Sequence, residues 1–223
     1  MDFEDRHSEA LQAELVSDPV EKARQEARNG LRQFDSAIEQ VEYWLQPERP
    51  FKLRPSAIIS LNRLALEGLS GLAGSFRPAG IAIKGSKHTP PPAHLVPELV
   101  EDLCDYVNTN WSRSPIHLAS YILWRLNWIH AFVDGNGRTS RVTSFVVLCV
   151  RLGYRVPGSP TIPELISRDK KPYYGALELA DAIYEKEKKI DVTAMEELVN
   201  SLLALQLSSV IKDARAERPS DKR

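Results

Sequence analysis

His130-Ala131-Phe132-Val133-Asp134-Gly135-Asn136-Gly137-Arg138-Thr139-Ser140-Arg141 is the stretch from which the rest of the chain can be read. An apolar helical pattern (Ala119, Ile122, Leu123, Leu126, Ile129) runs up to it. A second (Val142, Phe145, Val146, Cys149, Leu152) runs away from it. Steps of three and four put each set on one helix face, so the stretch reads as a helix-to-helix junction. Asp134 is a hard oxygen ligand of the kind Mg²⁺ takes. Gly135, Asn136 and Gly137 let backbone N–H groups approach an anion without Cβ clashes. A helix starting near Arg138 would aim its unpaired N–H groups at the same anion. Arg138 and Arg141, three apart, share one side of that first turn and suit phosphate oxygens. His130 is the residue of the stretch whose side chain ordinarily titrates near neutrality, which suits a general base.

A simple turn would explain Asp-Gly and Asn-Gly. It would explain neither the histidine four residues before Asp134 nor the arginine pair after it. The glycine pair is no dinucleotide fingerprint, because that needs a preceding strand in a βαβ unit and here a helix precedes.

The stretch resembles the signature of Fic-domain proteins, His-x-Phe-x-Asp/Glu-Gly-Asn-Gly/Lys-Arg-x-x-Arg, and every fixed position matches. Where most of the family has Pro after the His, this chain has Ala131, at a variable position. The likeness extends to Phe76-Arg77, to Ile81–Lys84, to the run Pro90-Pro91-Pro92 and to Pro172-Tyr173-Tyr174, which look like successive landmarks of a Fic core. It implies an all-α fold, a bundle of about six to eight helices with one small β-hairpin flap. It also implies transfer of AMP from ATP to a Ser, Thr or Tyr hydroxyl of a target protein, with pyrophosphate released. His130 would be the catalytic base and Asp134 the Mg²⁺ ligand. Gly135, Asn136, Gly137, Arg138 and Arg141 would hold the phosphates. Tyr173 and Tyr174 have even claims to helix packing and to an adenine wall. Ile81, Ala82, Ile83 and Lys84 would form a flap whose open edge pairs with the target. Glycine at 137 favours AMP over the γ-phosphate transfer that goes with Lys there in Doc-type toxins. Transfer of another phosphate-containing group and removal of AMP are alternatives within the family, and a catalytically silent protein-binding module is the non-enzyme alternative.

Many relatives are restrained by a helix carrying Ser/Thr-x-x-x-Glu-Gly/Asn. The three approximate matches here, ending in Glu21, Glu67 and Glu197, each break the pattern. The expectation is either an antitoxin-like inhibitory partner or no restraint of this kind.

Outward from the junction, helices are expected from Val20 to Leu45 (one helix, weakest near Gly30), from Pro55, from Val96 to about Trp111, and from Ser114-Pro115. A short one should follow the capping box Thr161-Ile162-Pro163-Glu164, and two more should carry Tyr173 and Met195. The expected organisation is a flexible 1–19, a helical part 20–50, a core 51–211 and a disordered charged tail 212–223. A formal charge of −1 and 26% charged residues give no reason to expect nucleic acid or an anionic membrane as partner. Two cysteines far apart, Cys104 and Cys149, read as buried thiols of a reducing compartment. The polar N-terminus shows no apolar signal, so a cytoplasmic location is expected.

Overall fold

The structure, a computed structural model, describes residues 8–9 and 15–216. Two helices build its centre. One, α4 (Pro115–Ile129), starts where the Ser114 hydroxyl accepts the His117 N–H at 3.0 Å. Proline sits in the first turn, where no N–H is needed. Its run from Leu118 to Leu126 is buried on every side, so α4 is the axis of the bundle. The other, α5 (Asn136–Leu152), leaves the junction and stops at Gly153, whose φ of +84° makes it the usual left-handed terminator. The two run antiparallel: Ser144 donates to the Ala119 carbonyl at one end, and Asn127 donates to Ser140 at the other.

Around this pair stand α1 (Pro19–Trp44), α2 (Pro55–Leu66), α3 (Val96–Thr109), α6 (Ile162–Arg168), α7 (Lys171–Glu187) and α8 (Thr193–Ala216), giving eight α-helices among the described residues. Helices α1 and α2 cover one side of α5, with Phe34 against Phe145 at 5.7 Å between ring centres. Helices α3, α7 and α8 cover α4, with Tyr106 stacked on Tyr121 at 3.9 Å and Tyr184 edge-on to Trp124 at 5.3 Å. Each fully buried large side chain stabilises by roughly 1.5–3 kcal/mol relative to exposure, which makes the α4–α5 seam the deepest source of stability. Buried polar side chains close the gaps that helix ends leave. Asn29 and Gln33 on α1 donate to the Ala65, Glu67 and Leu61 carbonyls at the end of α2. Gln206 on α8 ties down the loop before α6 through Ile162 N–H and Val156 O.

Helix α1 is one helix through Gly30, where a side chain would meet nothing within 4 Å. Two expectations change. Helix α8 continues to Ala216 rather than fraying at 212, leaving 217–223 outside the described residues. The flap is not a hairpin. Its strand β2 (Ala82–Ile83) pairs antiparallel with β1 (Ser8–Glu9), in the register Ser8 with Ile83 and Glu9 with Ala82. Ile81 and Lys84 lie outside β2, and the rest of the expected flexible segment, 1–7 and 10–14, lies outside the described residues. Cys104 and Cys149 are free and buried, as expected. Among the described residues, no helix is long and apolar enough to cross a membrane.

Candidate active site

The junction holds its shape through bonds between its own residues. The Asn136 side chain takes both backbone groups of Phe132, accepting its N–H at 2.9 Å and donating to its carbonyl at 2.8 Å. Gly135 has a φ of +74°, a conformation that side chains other than glycine's resist. Its N–H donates to the Asp134 carboxylate at 2.6 Å, and its carbonyl accepts the Thr139 N–H at 2.8 Å. Phe132 is fully buried against Phe76, an apolar anchor for the loop as its sequence position suggested.

His130 ends α4 in the left-handed region at φ +51°, uncommon for a side-chain-bearing residue. A buried arginine holds it there. Arg77 donates from Nε to the His130 carbonyl at 2.8 Å, and from its other nitrogens to the Ala79, Pro91 and Ile129 carbonyls. Its own N–H donates to Ala131 O at 2.9 Å. One cation therefore ties the junction to the base of the flap. From the other side, Asn62 on α2 donates to the Asp134 carbonyl and accepts the Gly74 N–H.

These elements enclose a cavity of about 1260 Å³, above the roughly 300–1,000 Å³ of ordinary small-molecule sites. His130, Asp134, Arg138, Arg141 and residues 135–137 all line it. The Arg141 guanidinium lies over Gly137, since a Cβ there would come within 3.1 Å of it. Glycine at 137 leaves that cation its place at the helix start.

The two tyrosines part ways. Tyr173 is 2% exposed, and its hydroxyl meets Asn127 at 2.7 Å and Ser140 at 3.4 Å, so it packs α7 against the junction rather than offering a free ring face. Tyr174 is half-buried, and both tyrosines line the cavity. The Asn136 side chain is committed to the loop, which leaves the backbone role read from the sequence as the one open to it. Of the expected flap residues, Ile83 lines the cavity and Ala82 faces away.

Burial lowers the pKa of His130 to about 4. Arg77 and His88 add to the shift, against a hydrogen bond that the ring donates to the Asn127 backbone carbonyl, which raises it. The imidazole is therefore neutral at pH 7, the form a proton acceptor needs. Asp134 has one oxygen on the Gly135 N–H and the other 3.2 Å from Arg138, and its side chain is 37% exposed. No group of three or more potential metal-ligating side chains occurs among the described residues. A lone carboxylate beside a phosphate site still fits Mg²⁺, which is commonly held by one or two carboxylates plus substrate phosphates.

The structure also brings in residues the sequence did not single out. His88 lines the cavity with its Nε2 at 2.8 Å from the Trp128 carbonyl. Lys22 and Lys170 add cationic groups to the wall. Glu26 on α1 stands 3.9 Å from Arg138. It sits in Lys22-Ala-Arg-Gln-Glu26-Ala27, which has the spacing of the family's restraining motif but Lys and Ala at its two ends. The three glutamates weighed from sequence lie elsewhere: Glu21 bonds Arg28, Glu67 bonds Arg32, and Glu197 borders a separate groove.

Residues 52–148 match the Fic/DOC family. The protein adenylyltransferase Fic of Drosophila willistoni is 34% identical over 127 residues, 56% of this chain and 24% of that protein. A Fido domain-containing protein of Dictyostelium discoideum is 39% identical over 88 residues, 40% of this chain and 56% of that protein. The chain thus spans about a quarter of the length of its Drosophila relatives. Among solved structures, Fic-1 of C. elegans superposes with a TM-score of 0.68 at 20% identity, covering 91% of this chain and 56% of that one. The Bartonella tribocorum protein BepC, solved with bound AMPPNP, gives a TM-score of 0.50 at 15% identity, covering 84% and 88%. These structural likenesses concern the fold.

Proposed function

We propose that this chain, whose residues 52–148 match the Fic/DOC family, is a Fic-type enzyme that transfers AMP from ATP to a hydroxyl of a target protein. The observation that carries the proposal is the single cavity in which His130, Asp134, residues 135–137 and both motif arginines meet. The names of the Drosophila relatives support the same reading.

The triphosphate lies along the start of α5, where backbone N–H groups and the helix dipole favour negative charge. Arg138 and Arg141 take the β- and γ-phosphates, which requires Arg138 to leave Asp134 and Glu26. Asp134 then has an oxygen for Mg²⁺, which when bound draws off charge from the leaving pyrophosphate. The acceptor hydroxyl enters between the flap and His130. His130 takes its proton while the oxygen bonds to the α-phosphorus and the bond from that phosphorus to the bridging oxygen breaks. Little covalent work falls to the protein, so positioning and preorganised charge dominate the rate. The left-handed backbone at His130 and the Arg77 clamp fix the base in advance of substrate.

The test is incubation with α-labelled ATP, Mg²⁺ and candidate targets, followed by mass spectrometry of the labelled chains. Label from α-labelled but not γ-labelled ATP supports AMP transfer. Label from the γ-position alone would instead assign phosphoryl transfer.

A further inference from the structure

A buried cation stands one ring away from the cavity with no anion to pair with. Arg125 on α4 is 8% exposed. Among the described residues it enters no ion pair, and its Nη1 is sealed from solvent without a hydrogen-bond partner. Rings enclose the guanidinium instead, with its centre 4.3 Å from the Trp128 ring, 5.1 Å from Tyr184 and 5.7 Å from Trp124. Aromatic faces attract a cation without using its N–H groups. The nearby Asp181 carboxylate accepts the Trp124 indole N–H at 2.9 Å. Two more polar atoms of this corner, Trp128 Nε1 and His88 Nδ1, are likewise sealed off and unmet. The His88 ring lies 5.7 Å from that of Trp128. Its Nε2 donates to the Trp128 carbonyl at 2.8 Å, so the neutral ring keeps Nδ1 as an acceptor. Trp128 and His88 line the cavity together with His130. Buried polar groups are normally paired, so two donors and one acceptor left over at one edge of a cavity mark a place for a group the chain does not supply.

We propose, building on the adenylyltransferase reading, that this corner is a specificity pocket for an acidic side chain of the target. A turn of the half-buried Trp128 ring admits the carboxylate, which accepts from the Arg125 guanidinium and from the Trp128 N–H. His88 Nδ1 accepts a backbone N–H of the same segment. A carboxylate suits a guanidinium closed in by rings, because it bonds edge-on, in the guanidinium plane. Arg125 precedes His130 by five residues along α4 and its cap, about 7.5 Å at the helical rise. An extended segment advances about 3.3 Å per residue, which places the acid about two or three residues from the hydroxyl that takes AMP. Main-chain pairing on a strand edge selects little by sequence, and the pocket adds a requirement for charge.

The full chain is incubated with α-labelled ATP, Mg²⁺ and peptides that carry a single Thr, with Glu, Gln or Lys scanned through the flanking positions. Glu two or three positions from the Thr is expected to raise labelling at least about tenfold over Gln, the least that a hydrogen bond to a charged group provides. Arg125→Met keeps the bulk inside the rings and brings the Glu-to-Gln ratio to about one. Arg125→Lys keeps the charge and retains part of the preference. Equal labelling of Glu and Gln peptides by the wild type, or a preference that survives in Arg125→Met, overturns the inference. Binding is read separately from the Trp128 indole N–H signal in the NMR spectrum, assigned through Trp128→Phe. Glu peptides should move it and Gln peptides should not. That readout uses the wild-type chain, so it decides the pocket even where a substitution among the rings unfolds the protein. Movement without label keeps the pocket and sinks the transferase reading. Label without a Glu preference does the reverse, and neither movement nor label sinks both.

Discussion

The two walls of the cavity are built to different standards. On the junction wall, side chains hold the backbone of four residues: Asn136 on Phe132, Asn62 on Asp134, and Arg77 on Ile129 and His130. On the flap wall, two residues of β2 meet two of β1, and the turn beyond is exposed. A two-stranded ribbon of that length is marginal by itself. Chemistry that is the same for every substrate belongs on the rigid wall, and recognition of varied peptide segments on the yielding one. Changes to the junction should therefore act on rate or stability, and changes to the flap on which acceptor is used.

The largest effect expected from the rigid wall is that of His130→Ala. Losing a general base lowers the rate by about 10²–10⁴, while ATP affinity, measured by calorimetry, stays within a few-fold. Equal labelling by wild type and variant would remove His130 from the mechanism and make the contrast between walls meaningless.

Arg77→Met asks whether the clamp is what makes that wall rigid. It strands four carbonyls that now receive a charged donor, and hydrogen bonds to charged groups contribute roughly 1.5–3 kcal/mol each. Loss of at least about 3 kcal/mol is expected in denaturant unfolding, after partial repair by water. A loss below about 1 kcal/mol would show that the junction keeps its shape without a link to the flap.

How much of this was legible in the chain depended on sequence distance. The junction was readable because helix periodicity and the residues between the helices lie within one local stretch, and the same holds for the capping box before α6. Arg77, Asn62 and Glu26 were hidden in their roles, because each reaches the junction across the fold from another element and no local pattern announces such an approach. The flap misled for the same reason. The resemblance implied a hairpin around Ile81 to Lys84, but the partner strand came from residues 8–9. At Gly30 the helix continues as expected, because about 1 kcal/mol of helix propensity is small beside the packing of Ala37 and Val41, both fully buried on the same helix.

The pH profile sharpens the contrast by one decade. With a folded pKa of about 4 against an ordinary value near 6.5, His130 stays neutral in the empty cavity as pH falls. The acid limb of kcat/KM, which reports the free enzyme, should be nearly flat from pH 7 to 5.5. An unshifted histidine would lose about tenfold there. The same shift favours the neutral folded form, so the stability it confers is fully present above the unfolded pKa of about 6.5 and is lost as pH falls from there towards 4. A kinetic midpoint near 6.5 would mean that the base is far wetter than its burial indicates.

Glu26→Ala is expected to have the smallest effect, and it acts on neither wall directly but on the lid that α1 lays across them. Glu26 reaches Arg138 at only 3.9 Å, with the two side chains 40% and 25% exposed. Ion pairs this open are worth about 0.2–1 kcal/mol. If the carboxylate must be displaced before Arg138 can take a phosphate, its removal should raise kcat/KM for ATP by no more than about fivefold, with the gain fading at high salt. Glu26→Gln, which keeps the size and removes the charge, should do the same. An increase of a hundredfold would require more than this pair provides, and would place the restraint in how α1 as a whole packs over the triphosphate site. A decrease would make Glu26 a contributor to nucleotide binding, most simply by orienting Arg138, and would turn the helix from a restraint into part of the rigid wall.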